Sequence, residues 1–282
     1  MAIYKSYNQE QLDSQYNNRL HVPDYAAYFE RWESLSRKAE KEHTVFKDIF
    51  FGNHLNECLD IFPAPTPFSK TLVFIHGGYW HLLDKAMFHF LAPTFLQYNV
   101  TTVLINYPLA PNASMDMIVS SCRKAMYWLH NNITLYNGDP SQLYVAGHSA
   151  GGHLASMLMV NNDLQSDQFF LKGVISISGL FRLKPLMLSN LNSVLQMDAV
   201  MAKKNSPIYL EPVKQYPLLL AVGTDETDEF KEQSGEMYNS WKDKHSSVEL
   251  LNIPGKNHFS MLDALTENGS SLQTATLRLM NL

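Results

Sequence analysis

The chain has 282 residues, is 45% hydrophobic and carries a formal charge of −5. It is long for one average domain and short for two, so one large core is expected. The acidic balance argues against nucleic acid or an anionic membrane as partner, and the lack of any apolar run of about 18 residues predicts no membrane span.

Met1 to Leu20 is polar and lacks an apolar centre, so no signal peptide is expected. Residues 8 to 42 read as helical, within an N-terminal extension over 1–44. Tyr25, Tyr28, Phe29 and Trp32 fall at helical spacing and read as a helix packing on the domain rather than as a ligand site. From residue 45 the rhythm changes. Strands are predicted at Val45–Phe51, Cys58–Phe62, Leu72–Ile75, Val100–Ile105, Leu143–Ala146, Gly173–Ile177, Leu218–Val222 and Val248–Ile253. Helices are predicted at Lys85–Gln97, Met115–Leu135, His153–Val160, Glu229–Lys242 and Phe259–Leu265. Strands alternating with helices imply a mostly parallel central sheet with helices on both faces. The stretch Leu180 to Tyr209 interrupts the alternation, and either a small lid over the strand ends or a peripheral helix pair would account for it. Nothing marks a second domain, so 1–282 reads as one.

Candidate chemistry centres on Gly147-His148-Ser149-Ala150-Gly151, a G-x-S-x-G sequence between a strand and a helix. On such a tight turn a serine hydroxyl is exposed and the next N–H faces a reacting oxyanion, which makes Ser149 the candidate nucleophile. A serine hydroxyl needs a base, and the base needs an acid to fix its tautomer. His258 lies in a Gly-containing loop after the last predicted strand. By contrast His21, His43, His54, His89, His130 and His245 read as solvent-facing or structural. Two acids compete after Leu218–Val222: Asp225 is the commoner residue type, while the Gly-x-x-acid register lands on Glu226 and favours it. His76-Gly77-Gly78-Tyr79-Trp80 follows the third strand. Two N–H groups among Gly77, Gly78 and Tyr79, with that of Ala150, would form an oxyanion hole, and His76 reads as a loop brace. Trp80, Phe181 and Phe259, with Tyr79, could wall an aromatic substrate or belong to the core. Neither H-E-x-x-H nor a Cys/His cluster is present, so no metal and no cofactor are expected. Cys58 and Cys122 read as free buried thiols, which suits a cytoplasmic location.

These motifs resemble the α/β-hydrolase fold over roughly residues 45 to 282, and the H-G-G-x-W and G-H-S-A-G sequences resemble hormone-sensitive-lipase-like esterases. The fuller set is closer to kynurenine formamidases (arylformamidases): His76–Trp80, Leu83-Asp84-Lys85, Asn106–Pro111, Gly147–Leu154, Ser178–Phe181 and Glu229-Phe230. Gln15–Arg19 is similar to bacterial members. The resemblance implies hydrolysis of N-formyl-L-kynurenine to formate and kynurenine, a step of tryptophan catabolism. It also implies Ser149 as nucleophile, His258 as base and Glu226 as acid, with Gly77, Gly78 and Ala150 as oxyanion donors. Animal members carry Asp where Glu226 stands, which keeps Asp225 open. Two further readings compete: a short-chain carboxylesterase, and an inactive hydrolase fold used for binding, against which the complete residue set argues. The expected partner is a small-molecule substrate, with a homodimer left open.

Overall fold

The computed structural model describes residues 1–160, 171–212, 216–244 and 247–282. Eight strands form one sheet: β1 (Phe46–Phe50), β2 (Cys58–Phe62), β3 (Ser69–Ile75), β4 (Val100–Ile105), β5 (Gly138–His148), β6 (Leu171–Ile177), β7 (Leu218–Gly223) and β8 (Val248–Ile253). Their order is β1-β2-β4-β3-β5-β6-β7-β8. β2 runs antiparallel to β1 and β4, and every other pair is parallel.

The alternation of side chains along each strand divides the core. Val73, Ile75, Val103, Ile105 and Val145 face one side, where Met126, Phe230 and Trp241 cover them. Leu72, Phe74, Leu104, Ala146 and Ile175 face the other, under Trp32, Phe95 and Leu262. A strand with helices on both faces is apolar at successive positions, as in Leu72–Ile75 of β3 and Leu218–Val222 of β7. The exposed edge strand β1 keeps Lys47 and Asp48. All eight predicted strands form. β5 starts five residues earlier than expected because Gly138 pairs with Ser69 at the start of β3.

The helical extension departs from its reading as one helical stretch. It breaks into α1 (Gln9–Gln15), α2 (Asn18–His21) and α3 (Tyr25–Glu42). Asn8 caps α1 with a reciprocal bond to Gln11, and the Asn17 side chain accepts from the Leu20 N–H to start α2. In α3, Trp32, Ser36 and Ala39 form the buried stripe. The remaining helices are α4 (Ala92–Leu96), entered through a 3-10 turn at Lys85–Leu91; α5 (Met115–Asn132), capped by Ser114; and α6 (Ala150–Met157), directly after β5. The insertion supplies α7 (Lys184–Leu188), α8 (Asn192–Leu195) and α9 (Ala199–Lys204). The chain then forms α10 (Asp228–Trp241), α11 (Ser260–Thr266) and an unforeseen α12 (Ser271–Leu279), capped by Ser270. Both cysteines are free and buried. Among the described residues no helix is long and apolar enough to cross a membrane.

Candidate active site

Ser149 joins β5 to α6 with φ +58° and ψ −119°, a region that non-glycine residues rarely occupy. The turn is held on both sides: the Ser149 N–H donates to the Ile177 carbonyl at 2.8 Å, and the Ser149 carbonyl accepts from the His153 N–H at 3.1 Å. A Cβ on Gly151 would lie 1.9 Å from the Ile75 carbonyl oxygen, so only glycine lets α6 leave the sheet this closely. The Ala150 N–H is in the first turn of α6, where no carbonyl of the helix can reach it.

His258 lies in the β8–α11 loop. Its Nδ1–H donates to Glu226 Oε2 at 2.6 Å, leaving Nε2 as the basic nitrogen. The second carboxylate oxygen, Oε1, accepts from Ser178 Oγ at 2.6 Å and from the Gly223 N–H at 2.8 Å. These donors orient a buried charge that would otherwise be costly. The two loops meet because Gly223 has no side chain: a Cβ there would stand 2.0 Å from the Lys256 carbonyl oxygen. Asp225 does not reach the histidine. It is exposed, its N–H donates to the Lys256 carbonyl, and its carboxylate accepts from Thr224 Oγ1 at 3.1 Å. His148 steadies the His258 loop, donating Nε2–H to the His258 carbonyl at 2.8 Å with the two rings 4.7 Å apart. Burial, then the neighbouring His258, holds the His148 imidazole well below its usual pKa and keeps it neutral.

The loop after β3 carries positive φ at Gly78, Tyr79 and Trp80. The Tyr107 hydroxyl sits 3.0 Å from the His76 carbonyl oxygen and 3.2 Å from that of Gly77, which also accepts from His76 Nδ1–H at 2.8 Å. In a trans peptide the N–H points opposite the carbonyl, so the Gly77 and Gly78 N–H groups face away from these partners. Among the described residues neither they nor the Tyr79 N–H find a backbone acceptor. A Cβ on Gly77 would lie 3.1 Å from Ser149 Cβ, which places the loop against the serine. His76 is the expected brace, stacked 4.5 Å from the Tyr107 ring.

Ser149, His148, His258, Gly78, Tyr79 and Phe259 border one cavity of about 390 Å³. Two expected walls do not. Trp80 is fully buried, with its indole N–H donating to His153 Nδ1 at 3.2 Å, while His153 Nε2–H donates to the Asn205 carbonyl at 2.7 Å. Phe181 is likewise core, its N–H bound to Gln233 Oε1. Both rings belong to the same buried apolar cluster, which residue type alone does not reveal.

In their place stand residues that sequence reasoning left unassigned or, for Phe29 and Trp32, read as packing only. The extension contributes Tyr16, Asn18, Arg19, Phe29 and Trp32, and the insertion contributes Ser189, Asn190, Leu191 and Val194. Within the aromatic set of α3 only Phe29 and Trp32 line the cavity, while Tyr25, Tyr28, Phe29 and Trp32 all pack on the Phe259 ring, at centroid distances of 5.5–6.3 Å. Tyr16 ties the extension down. Its hydroxyl donates to buried Glu229 at 2.9 Å, and its carbonyl accepts from the Tyr79 hydroxyl at 2.7 Å. Of the histidines set aside, His89 is structural, bridging Glu40 and Asp60, and His245 lies outside the described residues. Among the described residues no group of three or more His, Cys, Asp or Glu side chains gathers as a metal site.

The strand order, the strained serine at the β5–α6 turn and the acid-bound histidine after β8 define an α/β-hydrolase. Solved structures share this fold: a putative thioesterase from Silicibacter sp. has a TM-score of 0.85 at 24% identity, over 96% of this chain and 99% of its own. Esterase B from Lactobacillus rhamnosis has a TM-score of 0.73 at 15% identity, over 93% and 96%. The chain belongs to the BD-FAE family, whose model matches residues 59–241. Among curated proteins it is 27% identical to a kynurenine formamidase of Danio rerio and 28% identical to that of Salmo salar, in each case over 99% of both chains. A probable isoprenylcysteine alpha-carbonyl methylesterase of Arabidopsis thaliana is 26% identical over 44% of this chain and 30% of its own.

Proposed function

We propose that this hydrolase is a serine enzyme that cleaves an aryl formamide such as N-formyl-L-kynurenine. Ser149 Oγ attacks the formyl carbon while His258 Nε2 takes its proton, and Glu226 stabilises the imidazolium that forms. The oxyanion is held by the Ala150 N–H and by those of the Gly77–Tyr79 loop, each donor contributing about 3–4 kcal/mol. The imidazolium returns the proton to the departing arylamine. Water, activated by the same imidazole, then releases formate from Ser149.

The observation that carries the chemistry is the convergence on one cavity of Ser149 at φ +58° and a His258 whose Nδ1–H is held by Glu226. The formamide substrate is supported by relatives of that activity aligned over 99% of the chain, and by the aromatic lining from Tyr79, Phe29 and Phe259. The partial similarity to methylesterases favours a second reading, a short-chain carboxylesterase. The test is kcat/KM for N-formyl-L-kynurenine beside p-nitrophenyl acetate, with the unaltered chain and Ser149→Ala. A preference for the formamide that depends on Ser149 is expected. Ester turnover without formamide turnover would make the carboxylesterase reading correct, and turnover of neither would leave a binding fold.

A further inference from the structure

The cavity's one cationic side chain among the described residues has no counter-ion. Arg19 lines the same space as Ser149 and His258. Its guanidinium lies 5.0 Å from the Tyr25 ring centroid and 5.8 Å from that of Phe29. A guanidinium laid on two rings is fixed in place while its N–H donors stay free. Among the described residues no carboxylate lies within ion-pair distance of it. The other charge on the cavity wall, Asp13, is already engaged: its Oδ1 accepts from the Asn190 N–H at 2.8 Å and from the Gln9 amide at 3.1 Å.

The position of Arg19 relative to the reacting groups is set by aromatic contacts. Phe29, on which Arg19 rests, meets Phe259 edge to face at 5.5 Å, and Phe259 lies 5.7 Å from the His258 ring. A flat apolar segment therefore separates the cation from the site of attack. The field of Arg19 also reaches His81, a half-buried cavity residue whose pKa is lowered first by burial and then by this guanidinium. The buried amide of Asn18 is held against the Tyr79 hydroxyl at 3.4 Å beside it.

We propose that Arg19 is a specificity-determining residue: it receives a carboxylate on the leaving-group side of the substrate, so the preferred substrate is an aryl formamide that bears a carboxylate rather than one that lacks it. The aryl ring then lies along Phe29 and Phe259, with the scissile carbonyl at Ser149 and the carboxylate paired with the guanidinium. The formamide half of this statement rests on the function proposed above, and the carboxylate half does not.

The experiment measures kcat/KM for two pairs of substrates with the unaltered chain, Arg19→Gln and Arg19→Lys. The formamide pair is N-formyl-L-kynurenine and 2′-formamidoacetophenone, which keeps the ring and lacks the amino-acid head. The ester pair is 4-acetoxybenzoate and phenyl acetate. For whichever pair is turned over, Arg19→Gln is expected to lower the carboxylate-to-neutral ratio at least tenfold through KM, and Arg19→Lys to restore part of it. A ratio unchanged by Arg19→Gln, or an equal loss on both members of a pair, overturns the proposal. Turnover of esters alone, with the ratio still dependent on Arg19, would reject the formamidase reading and keep this one. Unfolding midpoints of the variants separate a fold defect from a recognition defect.

Discussion

Ser149 holds a backbone conformation that costs on the order of 1–3 kcal/mol, and its two neighbours in space, Ile177 and His153, hold it there through main-chain bonds. The same economy appears at the acid. One oxygen of Glu226 accepts from Ser178 and Gly223 and the other from His258, so the fold itself sets the direction of the carboxylate. Glu226→Gln should therefore lower kcat by about 10³- to 10⁴-fold, because an amide cannot stabilise the imidazolium and can present the wrong tautomer partner. Asp225→Asn should leave kcat nearly unchanged. Steady-state kinetics on the two variants checks this, and the reverse order would show that Asp225 moves onto His258 in the working enzyme. Ser149, His258 and the glycine pair were legible because their chemistry demands a local sequence. Arg19 and Tyr16 were not, since each matters through contacts made more than a hundred residues away or across another element. Trp80 and Phe181 could not be placed because a large ring suits a core and a cavity wall alike.

The strands were legible because sheet burial imposes a pattern that few other structures share. Where a strand extends beyond its apolar run, as β5 does into Gly138–Gln142, pairing with β3 rather than hydrophobicity sets the end. The helical segments were harder to bound. In the extension, side-chain capping by Asn8 and Asn17 produced two short helices before α3 that the helical periodicity alone runs together. The nine-residue α12 gave too weak a pattern to stand out, yet it buries Leu272, Ala275 and Thr276. The extension and the insertion contribute more than a cover. Through Tyr16, α10 and the Tyr79 loop share one set of hydrogen bonds, and through Asn205 the insertion meets His153 behind the serine turn. Elements that the sequence shows as appendages thus line the candidate site, which no local motif records.

At the scale of the whole molecule, three imidazoles are folded into the core in neutral form. Burial lowers His76 and His148, and brings His153 to about 4 against the opposing bond to Asn205. The unfolded chain binds protons at these positions near pH 6.5 and the folded chain does not, so the unfolded state gains as pH falls. The contribution of these histidines should be level above pH 7 and be lost from about pH 6.5 toward 4, with His153 alone accounting for about 3 kcal/mol of the loss once pH reaches its folded value. Denaturant midpoints across this window check the slope, and His153→Gln should flatten it. A level profile would mean that the histidines are solvated. The reading of the molecule as a serine hydrolase is tested most directly by treatment with a fluorophosphonate, followed by peptide mapping, on the unaltered chain and on a folded Ser149→Ala variant. The expected result is a single adduct on Ser149 that disappears in the variant together with hydrolysis. An adduct on another residue, or hydrolysis undiminished without Ser149, would contradict it.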